Sequence, residues 1–275
     1  MRKYICVFIF VLIVGSSYSE EWKLSNIEYF DRNENYFRFH TGNRITGFKN
    51  GNLAGGVYSG SFIIQEEYGV SFLIITWNDN TSDKYLMVYN SWYMYLYNSN
   101  SVPFFIGTSN DYIPKFPYAT TDTLSSTSAL REGNIVYSTD NLDERIGICW
   151  AEGVSGNGIG EKILFKYENY TDGLRNIFFI STGFVSYDKP YLYRYNSRPK
   201  KIKISYEGER AQIIELADTP NLQRFEIWWP FPNWGSDQEE NNLLGKDLWI
   251  EILEVYPGNR YDDTCINFIV GYYSQ

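Results

Sequence analysis

The chain has 275 residues, with 24 basic against 33 acidic side chains, a formal net charge of −9 and an aromatic content of 19%. So acidic a chain repels the phosphate backbone, which excludes non-specific nucleic-acid binding, and it has no polybasic patch for anionic lipid. Its single histidine, His40, excludes a multi-histidine metal centre and leaves any Ser–His–Asp arrangement dependent on that one residue.

Met1-Arg2-Lys3 opens the chain, residues 4–14 are apolar, and small residues follow at Ser17 and Ser19. This pattern predicts a secretory signal peptide over residues 1–19, cut before Glu20, with an apolar core too short to span a bilayer. Cleavage leaves 256 residues; with Arg2 and Lys3 gone, 22 basic against 33 acidic residues give a net charge of −11. The expected product is an exported bacterial protein without a membrane span, in the periplasm, on the outer surface or outside the cell. Its length suits two domains.

Residues 20–112 read as short strands between tight turns. Strands are predicted at 57–65, 70–77, 84–89, 92–97 and 103–106, with turn signals at Asn50-Gly51, Ala54-Gly55-Gly56 and the polar run from Asn78 to Asp83. This spacing predicts a small all-β domain, an antiparallel meander forming a barrel or a sandwich. Several of the 25 tyrosines are expected on solvated sheet faces, ring packed and hydroxyl wet. A boundary is expected between 109 and 118, around Pro114 and Pro117.

Residues 118–275 carry strand patterns at 163–167, 176–181, 200–206, 211–216, 224–229 and 248–255, with wider spacing and longer loops, as in a jelly-roll sandwich. Neither half holds a convincing helix; the polar run 237–244 reads as a loop. The fold class is all-β.

The densest motif is Cys149-Trp150-Ala151-Glu152-Gly153-Val154-Ser155-Gly156-Asn157-Gly158-Ile159-Gly160-Glu161. So many glycines make a tight, specific loop. It could line a ligand site through Glu152 and Asn157. It could equally be structural, with Trp150 plugging the core and Glu152 or Glu161 bonding backbone N–H groups. Cys149 and Cys265 survive signal cleavage and form a candidate disulfide pair, or else two buried free thiols.

Trp228-Trp229-Pro230-Phe231-Pro232-Asn233-Trp234 is dense in rings and stiffened by two prolines. Trp228, Trp229, Phe231 and Trp234 could stack on the apolar faces of a sugar, or plug the space between the domains. Asp143 with Asp262 and Asp263 could hold Ca²⁺, the one cofactor the sequence suggests; the alternative is a capped turn. No nucleophile elbow, phosphate loop or dinucleotide motif is present. Glu239-Glu240 lies in a polar run where both carboxylates stay solvated, which is no arrangement for glycoside cleavage.

Residues 118–275 resemble the discoidin-like (F5/8 type C) jelly-roll domains, which are galactose-binding-like in fold. The resemblance is to the branch named for the translocation domain of a bacterial NAD glycohydrolase toxin, a glycan-binding type. Five pieces carry it in order: Asn141-Leu142-Asp143; Trp150-Ala151-Glu152-Gly153 through Gly160-Glu161; Asn196-Ser197-Arg198-Pro199-Lys200-Lys201-Ile202; Leu216-Ala217-Asp218-Thr219-Pro220 with Gln223-Arg224-Phe225; and Glu254-Val255-Tyr256-Pro257-Gly258 with Tyr261-Asp262-Asp263-Thr264-Cys265-Ile266. The family's D-G-D turn here reads Asp143-Glu144-Arg145, and residues 228–246 are an insertion. The toxin's catalytic domain has no counterpart. The resemblance implies a non-catalytic protein that binds a glycan or another cell-surface component. The alternative is a structural or protein-interaction module of the cell envelope.

Overall fold

The computed structural model describes residues 27–30, 36–47, 56–108, 123–166, 177–206, 211–227 and 248–272. The expected signal peptide, the boundary at 109–118, the turns before Gly56 and the insertion lie outside them.

The first half is a closed antiparallel barrel in chain order, from β1 (Ile27–Phe30), β2 (Tyr36–His40), β3 (Arg44–Gly47) and β4 (Tyr58–Glu67) to β5 (Val70–Trp77), β6 (Ser82–Tyr89), β7 (Tyr93–Tyr97) and β8 (Pro103–Thr108). Closure runs through the pairing of Phe30 with Thr108. Between the two alternatives of barrel and sandwich, the meander takes the barrel. Inside it, Phe37, Phe39, Phe62, Leu73, Ile75, Trp77, Met87, Met94, Leu96 and Phe105 form one packed core. The interior is filled by side chains, as expected for eight strands. His40 sits at the β2–β3 turn, its Nε2 3.1 Å from the Thr46 hydroxyl.

The second half stacks two antiparallel sheets. One has β12 (Trp150–Ala151), β19 (Cys265–Tyr272), β14 (Ile177–Thr182) and β17 (Gln223–Glu226), in that order. The other runs β16 (Ala211–Glu215), β15 (Arg198–Tyr206), β18 (Leu248–Tyr256), β13 (Lys162–Lys166) and β9 (Thr123–Ser126). A short hairpin, β10 (Arg131–Glu132) with β11 (Ile135–Val136), and one helical turn, α1 (Leu192–Tyr195), complete the set. Trp150, Ile163, Phe165, Phe178, Ile180, Ile202, Ile204, Ile250 and Ile266 fill the space between the sheets. The outer face of the five-stranded sheet is a ladder of compensated charge, in which Glu251 meets Lys162 and Lys203 and Glu254 meets Lys200 and Lys201.

The four-stranded sheet is buried on both faces. Along β14, Phe178 and Ile180 point into the sandwich, whereas Ile177 and Phe179 point at the barrel. Along β7, Met94 and Leu96 fill the barrel while Tyr93, Tyr95 and Tyr97 press outward onto the sandwich. The expectation of wet tyrosines therefore fails for these three: each is at most 1% exposed. The Tyr97 hydroxyl donates to the Glu144 carbonyl at 2.7 Å, and burial pushes the Tyr95 and Tyr97 phenols well above their ordinary range. Backbone bonds stitch the halves as well, from Ile146 N to Ser101 O at 2.8 Å and from Leu222 N to Tyr89 O at 3.1 Å.

A β-bulge makes this double burial work. Ser181 pairs with Phe268 and Thr182 with Ile266, so Asn267 is skipped in the strand register, and its side chain donates to the Ser181 hydroxyl at 3.3 Å. The extra residue shifts the alternation of β19. Ile266 faces the sandwich core, and two residues later Phe268 faces the barrel.

Candidate functional site

The glycine-rich loop follows β12 and returns to the sheet at β13. Trp150 is fully buried in the sandwich core and donates its indole N–H to the Ser128 carbonyl at 3.1 Å. Glu152 is also fully buried. One carboxylate oxygen accepts the Val154 amide at 2.8 Å and the other accepts the Thr264 amide at 3.3 Å. Burial raises this carboxyl above the usual glutamate value, against the two amides, which hold it down. Of its two readings, ligand group or backbone anchor, Glu152 here takes the second and holds the loop closed, because burial leaves its oxygens to backbone donors.

Gly158 is what lets Glu152 fit. It adopts φ +62°, and a Cβ there would lie 2.3 Å from the Glu152 Cγ. Asn157 is half-buried, and its carbonyl accepts the Thr264 hydroxyl at 2.7 Å. At the loop's end, Glu161 accepts the hydroxyls of Thr127 at 2.6 Å and Ser128 at 2.5 Å. The loop offers Val154 and Ile159 to solvent, 42% and 62% exposed.

The loop from 257 to 264 lies against this one through Thr264, and its other side is tied to α1. The Asn259 amide donates to the Arg194 carbonyl, and the amides of Arg260 and Tyr261 donate to the Tyr195 carbonyl at 3.1 and 2.8 Å. The Ser197 hydroxyl accepts the Gly258 amide at 3.0 Å. Beneath lies an ionic knot. Asp218 accepts from Arg194, from Arg198 and from the Tyr193 hydroxyl. Burial pushes the Asp218 carboxyl up, but the Arg198 hydrogen bonds and the two guanidinium charges outweigh it, and the net shift is downward.

The Ca²⁺ candidates do not converge. Asp143 turns back onto Arg145 at 2.6 Å, and Asp263 is raised by burial first and by Glu132 and Asp262 after it. Among the described residues no group of three His, Cys, Asp or Glu is placed to hold a metal ion. Trp228, Trp229, Phe231 and Trp234 lie outside the described residues. Cys149 and Cys265 come together with Ala151 as buried free thiols, and the Cys265 thiol donates to the Asp263 carbonyl at 3.9 Å.

The model of the NAD glycohydrolase translocation F5/8 type C domain matches residues 115–271, more than half of the chain. The chain belongs to this family. The two sheets from β9 to β19 are thus its F5/8 type C domain, and the barrel lies ahead of the match. No curated protein matches the chain. Among the described residues no helix is long and apolar enough to cross a membrane.

Sequence reading missed the residues that crown this end of the F5/8 type C domain: Tyr195, Tyr261 and Arg260, whose guanidinium lies 5.6 and 5.3 Å from the two ring centres. The Arg260-Tyr261 doublet beside two aspartates is the available signal; the sequence reading takes Tyr261 as part of the family motif and gives Arg260 no role.

Proposed function

We propose that this is an exported, non-catalytic protein that binds carbohydrate at a surface through its F5/8 type C domain. The observation that carries the reading is the division of labour at the loops. The polar groups able to do chemistry, Glu152, Glu161 and Asp218, are engaged in holding backbone, hydroxyls and guanidinium groups. What remains for a ligand is a stiff surface of rings, amides and apolar tips. Stiffness favours recognition because little order is lost on binding. Trp228, Trp229, Phe231 and Trp234 would add stacking rings.

Titration of the mature protein against an oligosaccharide array tests this. Binding that weakens in Trp229→Ala and Trp234→Ala supports it; silence across diverse glycans removes it. A second reading, a protein-interaction module of the cell envelope, is favoured by the aliphatic tips Val154 and Ile159, which suit a protein partner better than a sugar. Val154→Ser with Ile159→Ser separates the two: loss of binding to envelope proteins with sugar binding retained supports the second.

A further inference from the structure

Four tyrosines from three distant parts of the chain form a continuous strip across the seam between barrel and sandwich. Tyr68, in the β4–β5 turn of the barrel, meets Tyr191 with ring centres 6.2 Å apart. Tyr191 meets Tyr195 at 5.1 Å, and Tyr195 meets Tyr261 at 6.3 Å. Arg260 closes the far end over Tyr195 and Tyr261. Tyr68 remains 56% exposed and Tyr261 38%.

Tyr68 is costly where it stands. Its φ is +55°, in the left-handed region that suits Asn or Gly in such a hairpin turn. The ring gains little burial in return. The turn is nevertheless held firmly, for Gly69 rests against the Arg194 guanidinium, close enough that a Cβ there would lie 2.8 Å from it, and Arg194 is anchored on Asp218. A large ring kept in an unfavourable backbone conformation, mostly in solvent and at the end of a row of three others, has the placement of a contact residue.

We propose that this strip is a glycan-binding site shared by the two halves of the chain. The proposal rests on the carbohydrate-binding reading above and gives it a place. Tyr68 and Tyr261 are exposed at the two ends and Tyr191 and Tyr195 half-buried between them, so the strip offers aromatic surface and phenol groups, and Arg260 adds a guanidinium over Tyr195 and Tyr261. That mixture complements the C–H faces and hydroxyls of sugars, while no aliphatic side chain belongs to the strip. The net charge of −9 disfavours polyanions, so the ligand is a neutral oligosaccharide.

The experiment is calorimetric titration and array binding of the mature chain with neutral and anionic oligosaccharides, comparing wild type with Tyr68→Gly and Tyr261→Ala. Tyr68→Gly relieves the backbone conformation as it deletes the ring. A purely structural Tyr68 would lose thermal stability; the shared site requires unchanged or higher stability with affinity for neutral glycans down about tenfold or more. Tyr261→Ala should weaken the same glycans. Glycan binding by wild type that neither tyrosine variant changes overturns the strip and leaves the broader reading standing. Silence of the wild type on every oligosaccharide overturns both. Loss in Tyr68→Gly of a protein contact alone, with sugars bound as before, overturns the choice of glycan.

Discussion

Arg198 grips Asp218 with two parallel bonds, Nε to Oδ1 and Nη2 to Oδ2, each 3.0 Å long. The guanidinium is almost fully buried, at 4% exposure, and its remaining nitrogen donates to the Asn196 carbonyl at 2.7 Å. This pair lies directly beneath α1 and the loop from 257 to 264, so the position of the exposed tyrosines depends on it.

Asp218→Asn should destabilise the protein by about 3 kcal/mol at neutral pH, because it strands a buried guanidinium. Asp218 is held below the usual carboxylate range, so its stabilisation is present above the unfolded value and is lost as pH falls through the folded one. The cost of the substitution should therefore shrink below about pH 4. Denaturant unfolding at pH 7 and pH 3.5 measures both.

Glu152 has the opposite sign. Its folded carboxyl titrates above the usual glutamate value, so its contribution is fullest below about pH 4.3 and declines as pH rises through the folded value. Glu152→Gln lacks this titration. Its destabilisation relative to wild type should be larger at pH 4 than at pH 7, as followed by midpoints of urea unfolding.

Two glycines of the same loop separate packing from backbone. Gly156 sits at φ +98° with nothing within 4 Å of a Cβ, while Gly158 sits at +62° against Glu152. Gly156→Ala should cost only the left-handed penalty, about 1–2 kcal/mol. Gly158→Ala adds a clash with a buried side chain and should cost more, about 3 kcal/mol or above. Thermal melts of the two variants give the difference.

Barrel and sandwich should unfold together. Tyr95 and Phe268 meet across the seam with ring centres 5.5 Å apart, within a cluster drawn from both halves. Phe268→Ala should cost about 3–5 kcal/mol and lower one coincident transition in near- and far-ultraviolet circular dichroism. Two separate transitions, with only one displaced, would show that the halves are independent.

Cys149 and Cys265 are expected to be reduced and shielded. Hydrogen bonding to Cys149 and burial hold the Cys265 thiol well above its ordinary value. A thiol reagent should be slow on the native mature protein and should label two thiols in denaturant without reductant. Labelling of none in denaturant would mean that the pair has closed.

Much of the fold was legible where strands have one wet face or a plain β-branched run. β5 was read with its final bounds, 70–77, and Trp150 as a core plug proved to be that. β7 was found as a strand, yet its double burial was not, since Tyr-Met-Tyr-Leu-Tyr keeps an alternation of ring and aliphatic that looks half-solvated. The bulge at Asn267 is marked only by one polar residue inside an otherwise apolar run. Glu152 was legible as a backbone anchor as well as a ligand group, but one of its two partners, Thr264, lies 112 residues away and no local pattern points to it. The tyrosine strip was not legible as a whole: Tyr191 and Tyr195 are four residues apart at one helical turn, but Tyr261 reaches them only through the fold of the second half and Tyr68 only through the docking of the barrel.

Carbohydrate recognition without cleavage is tested most directly by incubating the mature protein with the neutral oligosaccharides of the array, measuring bound sugar and new reducing ends in the same samples. Saturable binding, abolished or weakened by Tyr261→Ala and accompanied by no new reducing ends, is the expected result. Release of reducing ends in proportion to protein, or no binding to any sugar, would contradict it.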